Sequence, residues 1–249
     1  SYLELKNGGR IAYHKIAGKS PGVIFLGGFR SDMSGVKAMA LENYCRKQGR
    51  AFIRFDYEGH GESSGKFEDG TIGKWTENAL TILTELTKEP QILVGSSMGG
   101  WISLLLAKKR PNRIAAIVGI AAAPDFTERL IFDNLTKAQV KELDKKGKIM
   151  LASDYGEQYP ITKDLIIDGR NHLLLNDKIP VNCPVTLLHG LKDIDVPWEI
   201  SLETNKQLSS KDVKTILIEN GDHRLSEPSD IKKIISVLGK MIELVSAKW

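Results

Sequence analysis

Two adjacent serines lie among glycines in "ILVGSSMGGWISLLL", residues 92–106, where an apolar run of strand character gives way to one of helical character. Gly95, Ser97 and Gly99 set the spacing G-x-S-x-G. A serine presented at the top of a sheet in this way needs a sharp, strained turn, and side chains two residues before or after it would collide there. The glycines at 95 and 99 answer that demand. Gly100 lets the following helix pack closely, and the helix N-terminus directs partial positive charge towards Ser97. The chemistry such a residue offers is nucleophilic attack. A plain glycine-rich turn is the blander reading of the spacing, and the strand and helix flanks weigh against it.

A serine hydroxyl is a poor nucleophile until a base accepts its proton, and the base needs a carboxylate to fix its tautomer. In an open α/β sheet with this turn the chain order is serine, acid, histidine. "VTLLHGLKDIDVPW" supplies Asp193 or Asp195 just after a strand, and "ILIENGDHRLSEP" supplies His223 after the next one. Both loops fall at strand C-terminal ends, where the site of such a sheet belongs. Asp222 directly precedes the histidine and is too close in sequence to fold back onto its ring. The remaining histidines fit less well. His14 lies in the first strand region, His60 in an early glycine-rich turn and His189 at a strand end before Gly190, all read as packing or turn-bonding residues; His172 reads as solvated. Attack on a carbonyl also needs donors for the developing oxyanion. The backbone N–H of Met98 follows the nucleophile, and that of Phe29 lies in "LGGFRSD", where Gly27 and Gly28 allow close backbone approach.

The elements that must position these groups are legible in outline. "RIAYHKI", "GVIFLGG", "RAFIRFD", "QILVGSS", "RIAAIVGIAAA", "PVTLLHG" and "VKTILIEN" are apolar strand candidates separated by helical patterns, the clearest being "TIGKWTENALTILTELTKEP" and the terminal "DIKKIISVLGKMIELVSAKW". Apolar strands alternating with helices predict an α/β fold, a mostly parallel sheet covered on both faces, in one domain over residues 1–249. The rhythm breaks at 124–183, read as a lid inserted into that domain: two helical candidates, "DFTERLIFDNL" and "TKAQVKELDKKG", then irregular sequence. Its apolar triplets at 130–132, 149–151, 165–167 and 173–175 exceed what a solvated flap requires. Most are expected to form the lid's seam with the sheet, leaving some to receive an acyl chain. Arg129, Lys137, Arg170 and His172 are its candidates for steering an anionic substrate.

Composition narrows the classes. Over 249 residues the net charge is only +4, with basic and acidic residues interspersed, which argues against nucleic acid as a partner. The two cysteines, Cys45 and Cys183, have no metal-ligand or disulfide-framework spacing, so neither metal nor cofactor is expected. The longest apolar run, 114–124, is shorter than the roughly 20 residues that cross a bilayer, so no integral membrane segment is expected. The chain opens on Ser1 and not on Met, which is expected of a processed or trimmed form.

Taken together, "GSSMGG", "HGLKDIDVP" and "NGDH" resemble the α/β-hydrolase family over nearly the whole chain, and "FDYEGHGESSG" is similar to that family's D-x-x-G-x-G-x-S turn. The family's acid loop, HG-x-x-D-x-x-VP, selects Asp193 over Asp195. More narrowly, "FLGGFRSDMSGVKA", "GSSMGGWISLLLA" and the short lid resemble a mitochondrial branch of the family. That resemblance implies removal of acyl groups from S-acylated proteins, cleavage of acyl-glucuronide esters, and a mitochondrial address with the transit peptide already removed. One departure is "LGG" where the family more often has "HGG" or "HGF". It spares the backbone donor and loses any role of that side chain.

Ser97 at the turn separates the chain from family members that carry aspartate there. A small-lipid carboxylesterase and a serine aminopeptidase of the same fold remain as alternatives. The peptidase would want lid acids to hold a substrate amine; Glu128, Asp133, Glu142 and Asp144 are present but interspersed with Lys137, Lys141, Lys145 and Lys146. A non-catalytic binding module of this fold is the reading from another class, disfavoured because Ser97, Asp193 and His223 are all present.

Overall fold

The computed structural model describes residues 1–153 and 156–246. Its strands are β1 (Tyr2–Glu4), β2 (Arg10–Ile16), β3 (Lys19–Leu26), β4 (Arg50–Phe55), β5 (Gln91–Ser96), β6 (Ile114–Ile120), β7 (Lys148–Ser153), β8 (Gly156–Thr162), β9 (Val185–Gly190) and β10 (Val213–Ile218). The helices are α1 (Val36–Lys47), α2 (Ile72–Leu86), α3 (Met98–Lys109), α4 (Lys137–Lys146), α5 (Lys163–Arg170), α6 (Glu199–Gln207) and α7 (Pro228–Ser246). Eight strands form one sheet in the order β1-β2-β4-β3-β5-β6-β9-β10. β2 is antiparallel to both neighbours, and from β4 onwards every pairing is parallel. β5 therefore sits centrally, and its C-terminal end opens into a crevice between the loops of its neighbours.

Strand alternation divides the core into two layers. In β3, Val23 and Phe25 pack with α1 and α7 residues such as Leu41, Leu238 and Met241. Ile24 and Leu26 point the other way, towards Trp75 and Ile82 of α2 and Ile102 of α3. α2 starts cleanly because the Thr71 hydroxyl accepts from Lys74 N, and its buried stripe of Ile72, Trp75, Ala79, Ile82 and Leu83 keeps helical spacing. α3 is buried from Met98 through Ala107, all round and not on one stripe. A helix with no solvated face is held fast, which matters because Ser97 is its first flanking residue.

β6 and β9 pair directly, although the chain between them runs from Ala121 to Pro184. In place of the first expected helix the chain makes a π-helical turn at Thr127–Ile131 and a tight 3-10 turn at Phe132–Asn134. The second expected helix is α4, opened by a reciprocal capping box between Thr136 and Gln139 and closed by Gly147 at φ 74°. The stretch expected to be irregular contains the β7–β8 hairpin and α5. Ile149, Ile161, Leu165, Ile166, Leu174 and Leu175 are buried, so most of the apolar triplets do form a seam with the main body. Among the described residues, no helix is long and apolar enough to cross a membrane.

Candidate active site

Ser97 has φ 52° and ψ −117°, a backbone conformation that L residues rarely adopt. The surrounding glycines are required by contact with backbone. A Cβ on Gly95 would lie 2.2 Å from Gly99 O, one on Gly99 would lie 2.1 Å from Leu26 O, and one on Gly100 would lie 2.9 Å from Ala122 Cα. The turn is further pinned by Ser97 N donating to Ile120 O at 2.9 Å and by Ala123 N donating to Ser97 O at 3.2 Å. The serine is thus held between β5 and β6 with its side chain partly exposed.

His223 reaches it from the loop after β10. Its Nε2 is 3.1 Å from Ser97 Oγ, and its Nδ1 is 2.8 Å from Asp193 Oδ2. A carboxylate oxygen facing Nδ1 puts the proton there, leaving Nε2 with a lone pair towards the hydroxyl. The structure thus brings together the three residues picked from sequence, and the carboxylate is that of Asp193. Asp195 contributes its backbone N–H, which donates to Asp193 Oδ1 at 3.0 Å.

Asp193 is buried and fully engaged. Val196 N donates to Oδ1 at 2.8 Å, and His189 Nε2 approaches Oδ2 at 3.0 Å. Burial pushes the carboxyl pKa up, but hydrogen bonds from His189 and His223 outweigh it, helped by the charge of His223 and the Val196 N–H, and hold it well below the usual carboxylate range. His189 is completely buried. Its Nε2 also faces Val196 O at 3.0 Å, and because both neighbours only accept, that nitrogen carries the proton; Nδ1 then accepts from Ser201 Oγ at 2.7 Å. Sequence reasoning took His189 for a packing or turn residue. It packs, but it also donates the second imidazole hydrogen bond to Asp193, and the signal available was its place four residues ahead of that aspartate. Asp193, Asp195 and His223 also bring ligand-type atoms within 4.8 Å of one another. All four hydrogen bonds to Asp193 come from N–H donors, so this donor set suits the bonded network and not a metal ion.

The loop after β3 closes the other side. A Cβ on Gly28 would lie 3.4 Å from Ser97 Cβ, so the segment carrying Phe29 runs directly against the serine. The Phe29 ring is wedged edge-on between Phe67, Trp75, Phe126 and Tyr159. Arg30, at φ 59°, donates its N–H to His60 Nε2 at 3.2 Å. Met33 N donates to Asp56 Oδ1 at 2.6 Å. Met98, wholly buried, opens α3, where an N–H has no partner within the helix.

His60 carries a pH prediction. Burial pulls its pKa from 6.5 down to about 4, the backbone of Glu58 opposing. Between pH 6.5 and 4 the unfolded chain therefore takes up a proton that the native chain refuses. Stability conferred at higher pH is lost as the pH falls through that window, by up to about 3 kcal/mol. In urea titrations across it, His60→Gln is expected to give a flatter pH dependence than the parent. Identical slopes would sink this assignment.

A cavity of about 630 Å³ lies over Ser97, and its lining includes the apolar Phe29, Ala123, Phe126, Leu130 and Ile131 and the charged Arg30, Lys37, Asp195 and Arg224. Leu130 and Ile131 are the members of the 124–183 apolar triplets that reach it. The cations expected to steer substrate from that segment are placed elsewhere. Arg129 pairs with Glu203, Arg170 with Glu128, His172 lies 3.6 Å from Asp168, and Lys137 sits at the exposed start of α4. The acids considered for an amine are likewise away from the cavity: Glu128 holds Arg170, Glu142 holds Lys146 and Asp144 holds Lys163. A larger surface groove of about 870 Å³ runs beside α2 near Leu3 and Thr81, but no serine, cysteine or histidine lines it.

A central parallel sheet, a strained serine between its middle strand and a buried helix, and a histidine and aspartate on later strand ends are the arrangement of an α/β hydrolase. The chain belongs to the α/β-hydrolase family: the family described as alpha/beta hydrolase fold matches residues 21–145, and relatives match almost the full length. It is 42% identical over 248 residues to palmitoyl-protein thioesterase ABHD10, mitochondrial, from Homo sapiens, covering 99% of this chain and 81% of that protein. The solved structure of alpha/beta hydrolase domain-containing protein 10 from mouse superposes with a TM-score of 0.91 at 42% identity, covering 98% of each chain. A putative hydrolase from Agrobacterium vitis gives 0.92 at 39% identity, covering 97% of this chain and 96% of that one.

Proposed function

We propose that the protein is a serine hydrolase that cleaves acyl thioesters, removing fatty acyl groups from S-acylated proteins, and that acyl-glucuronide esters are substrates of the same site. The observation that carries this reading is one imidazole within hydrogen-bonding distance of both a serine hydroxyl and a buried carboxylate. His223 Nε2 takes the proton as Ser97 Oγ attacks the acyl carbonyl, and Asp193 stabilises the imidazolium. The N–H groups of Phe29 and Met98 receive the oxyanion. The tetrahedral adduct then expels the thiol or sugar oxygen, which takes the proton back from His223, and water repeats the sequence on the acyl-enzyme.

Residues 124–183 act as a lid on a single domain spanning 1–249, its Leu130 and Ile131 giving the acyl chain an apolar wall. A mitochondrial location is part of the proposal and is supported by the name of the relative from Homo sapiens. Among the described residues of 124–183 no carboxylate lines the cavity, so the lid acids that an aminopeptidase reading would use to hold an amine do not reach it. The test is kcat/KM across thioesters from acetyl to palmitoyl, with aminoacyl amides alongside. Each methylene buried is worth about 0.8 kcal/mol, so the expected rise is roughly fourfold per carbon until the wall is covered. A flat response would remove the acyl wall, and a preference for aminoacyl amides would overturn the thioesterase reading.

A further inference from the structure

Asp193 carries two imidazoles on one oxygen. Its Oδ2 lies 2.8 Å from His223 Nδ1 and 3.0 Å from His189 Nε2. The two rings come from different elements and hold opposite tautomers. His223 bears its proton on Nδ1 and leaves Nε2 bare for Ser97. His189, wholly buried in β9, bears its proton on Nε2, because Asp193 Oδ2 and Val196 O both only accept there, and its Nδ1 accepts from the hydroxyl of Ser201, a buried residue of α6. A line of hydrogen bonds thus runs from Ser201 through His189, Asp193 and His223 to Ser97.

The second imidazole is not needed to hold the loop that carries Asp193. Leu191 N donates to Ile218 O and Lys192 N to Gly221 O, both at 2.9 Å, which fastens that loop to the one bearing His223. Asp195 N and Val196 N hold Oδ1. What His189 adds falls on Oδ2, the oxygen that faces His223. A carboxylate that already accepts an N–H there presents less charge to the other ring, and that charge is what stabilises the imidazolium. Withdrawing the donor therefore strengthens the hold of His223 on a proton, and a protonated base cannot receive one from Ser97.

We infer that His189 is a positioning residue for the hydrolysis, acting through Asp193: it shares Oδ2 with His223 and draws off part of the carboxylate's charge, which keeps His223 in its proton-accepting form to lower pH. This rests on the hydrolase reading above and adds to it a side chain that sets the pH range in which the triad works.

The other charges about His223 are Asp195, whose carboxylate lies with the Asp193 and His223 ligand-type atoms within 4.8 Å of one another, Lys37 and Arg224 in the cavity lining, and Asp222 and Asp230 near Lys37. All are common to the proteins compared, so they cancel in a difference. His189→Asn and His189→Gln form a matched pair of amides. Glutamine reaches about as far as Nε2 and keeps an N–H on Asp193, whereas asparagine, one carbon shorter, stops near Nδ1 and Ser201 and withdraws the donor. With one thioester, the acid limb of the kcat/KM profile is expected to move up by about half a unit to one unit in His189→Asn and to stay with the parent in His189→Gln. A limb that stays in place in both variants, or moves equally in both, would refute the role. If the asparagine variant does not fold, His189→Leu, which also lacks the donor, takes its place. Nitrogen-15 spectra of the parent's histidines test the geometry with neither a variant nor turnover: His189 is expected with its proton on Nε2 and His223 with its proton on Nδ1. A His189 proton on Nδ1 would sink the proposal even in a fully active enzyme. A parent that hydrolyses no thioester would count instead against the hydrolase reading.

Discussion

Ser97→Ala is expected to lose about 10⁶ in turnover while melting at the parent temperature, and to lose all labelling by a fluorophosphonate probe. The size follows from the role: without the hydroxyl there is no acyl-enzyme, and only the oxyanion donors and binding remain to assist water. The unchanged fold follows from geometry, since alanine keeps the Cβ and the φ of 52° and removes only an oxygen whose contact is with His223 Nε2. Ser96→Ala is the matched control. Ser96 is the buried last residue of β5, and the imidazole bonds to its neighbour. Labelling and turnover should survive that change in large part. If Ser96→Ala were the inactive variant and Ser97→Ala the active one, the nucleophile would be misassigned.

How much of this was legible in the sequence depends on the range over which each signal acts. The turn at Ser97 is local. Its glycines are demanded by backbone atoms within a few residues or on the adjoining strand, so their spacing alone betrays the conformation. The serine-acid-histidine order is a consequence of parallel strands delivering loops to one end of the sheet, and the apolar strand runs carry that. The β7–β8 hairpin was not legible because "KIMLAS" and "GEQYPIT" lack clean alternation and the second carries Pro160, a residue that argues against a strand. The segment read as a first helix was diverted into a π-helical and a 3-10 turn by tertiary contacts. Asp125 takes φ 61° and its carboxylate accepts from Leu174 N and Leu175 N, fixing the chain where a regular helix would have begun.

The cavity cations were misplaced for the same reason. Arg129 and Arg170 look available in a linear reading, yet each pairs with an acid of another element, and Lys37 and Arg224, 187 residues apart, meet only in the fold. His189 belongs with them. Its hydrogen bond to Asp193 spans four residues but depends on the sharp loop between them, which no periodicity announces.

That loop sets the second large effect. Asp193 accepts two backbone N–H bonds at Oδ1, from Asp195 and Val196, and faces two imidazole nitrogens at Oδ2, those of His223 and His189. Asparagine has one oxygen for these two places. If its oxygen stays with the backbone donors, its NH₂ meets both imidazoles and forces the His223 proton off Nδ1 and onto Nε2, the nitrogen that must be bare to take the serine proton. If the amide turns over, two backbone N–H groups are left facing its NH₂ in a buried loop, at a cost of about 1–3 kcal/mol for each unpaired donor. Asp193→Asn is therefore expected to lower kcat by about 10⁴ near neutral pH, the loss that a wrong tautomer brings. Asp195→Asn should cost far less, because Asp195 reaches Asp193 through a backbone N–H that the substitution preserves. The two variants are compared by kcat on one thioester, with circular dichroism to confirm folding. Equal losses, or a greater loss at residue 195, would overturn the assignment of Asp193 as the partner that sets the tautomer of His223.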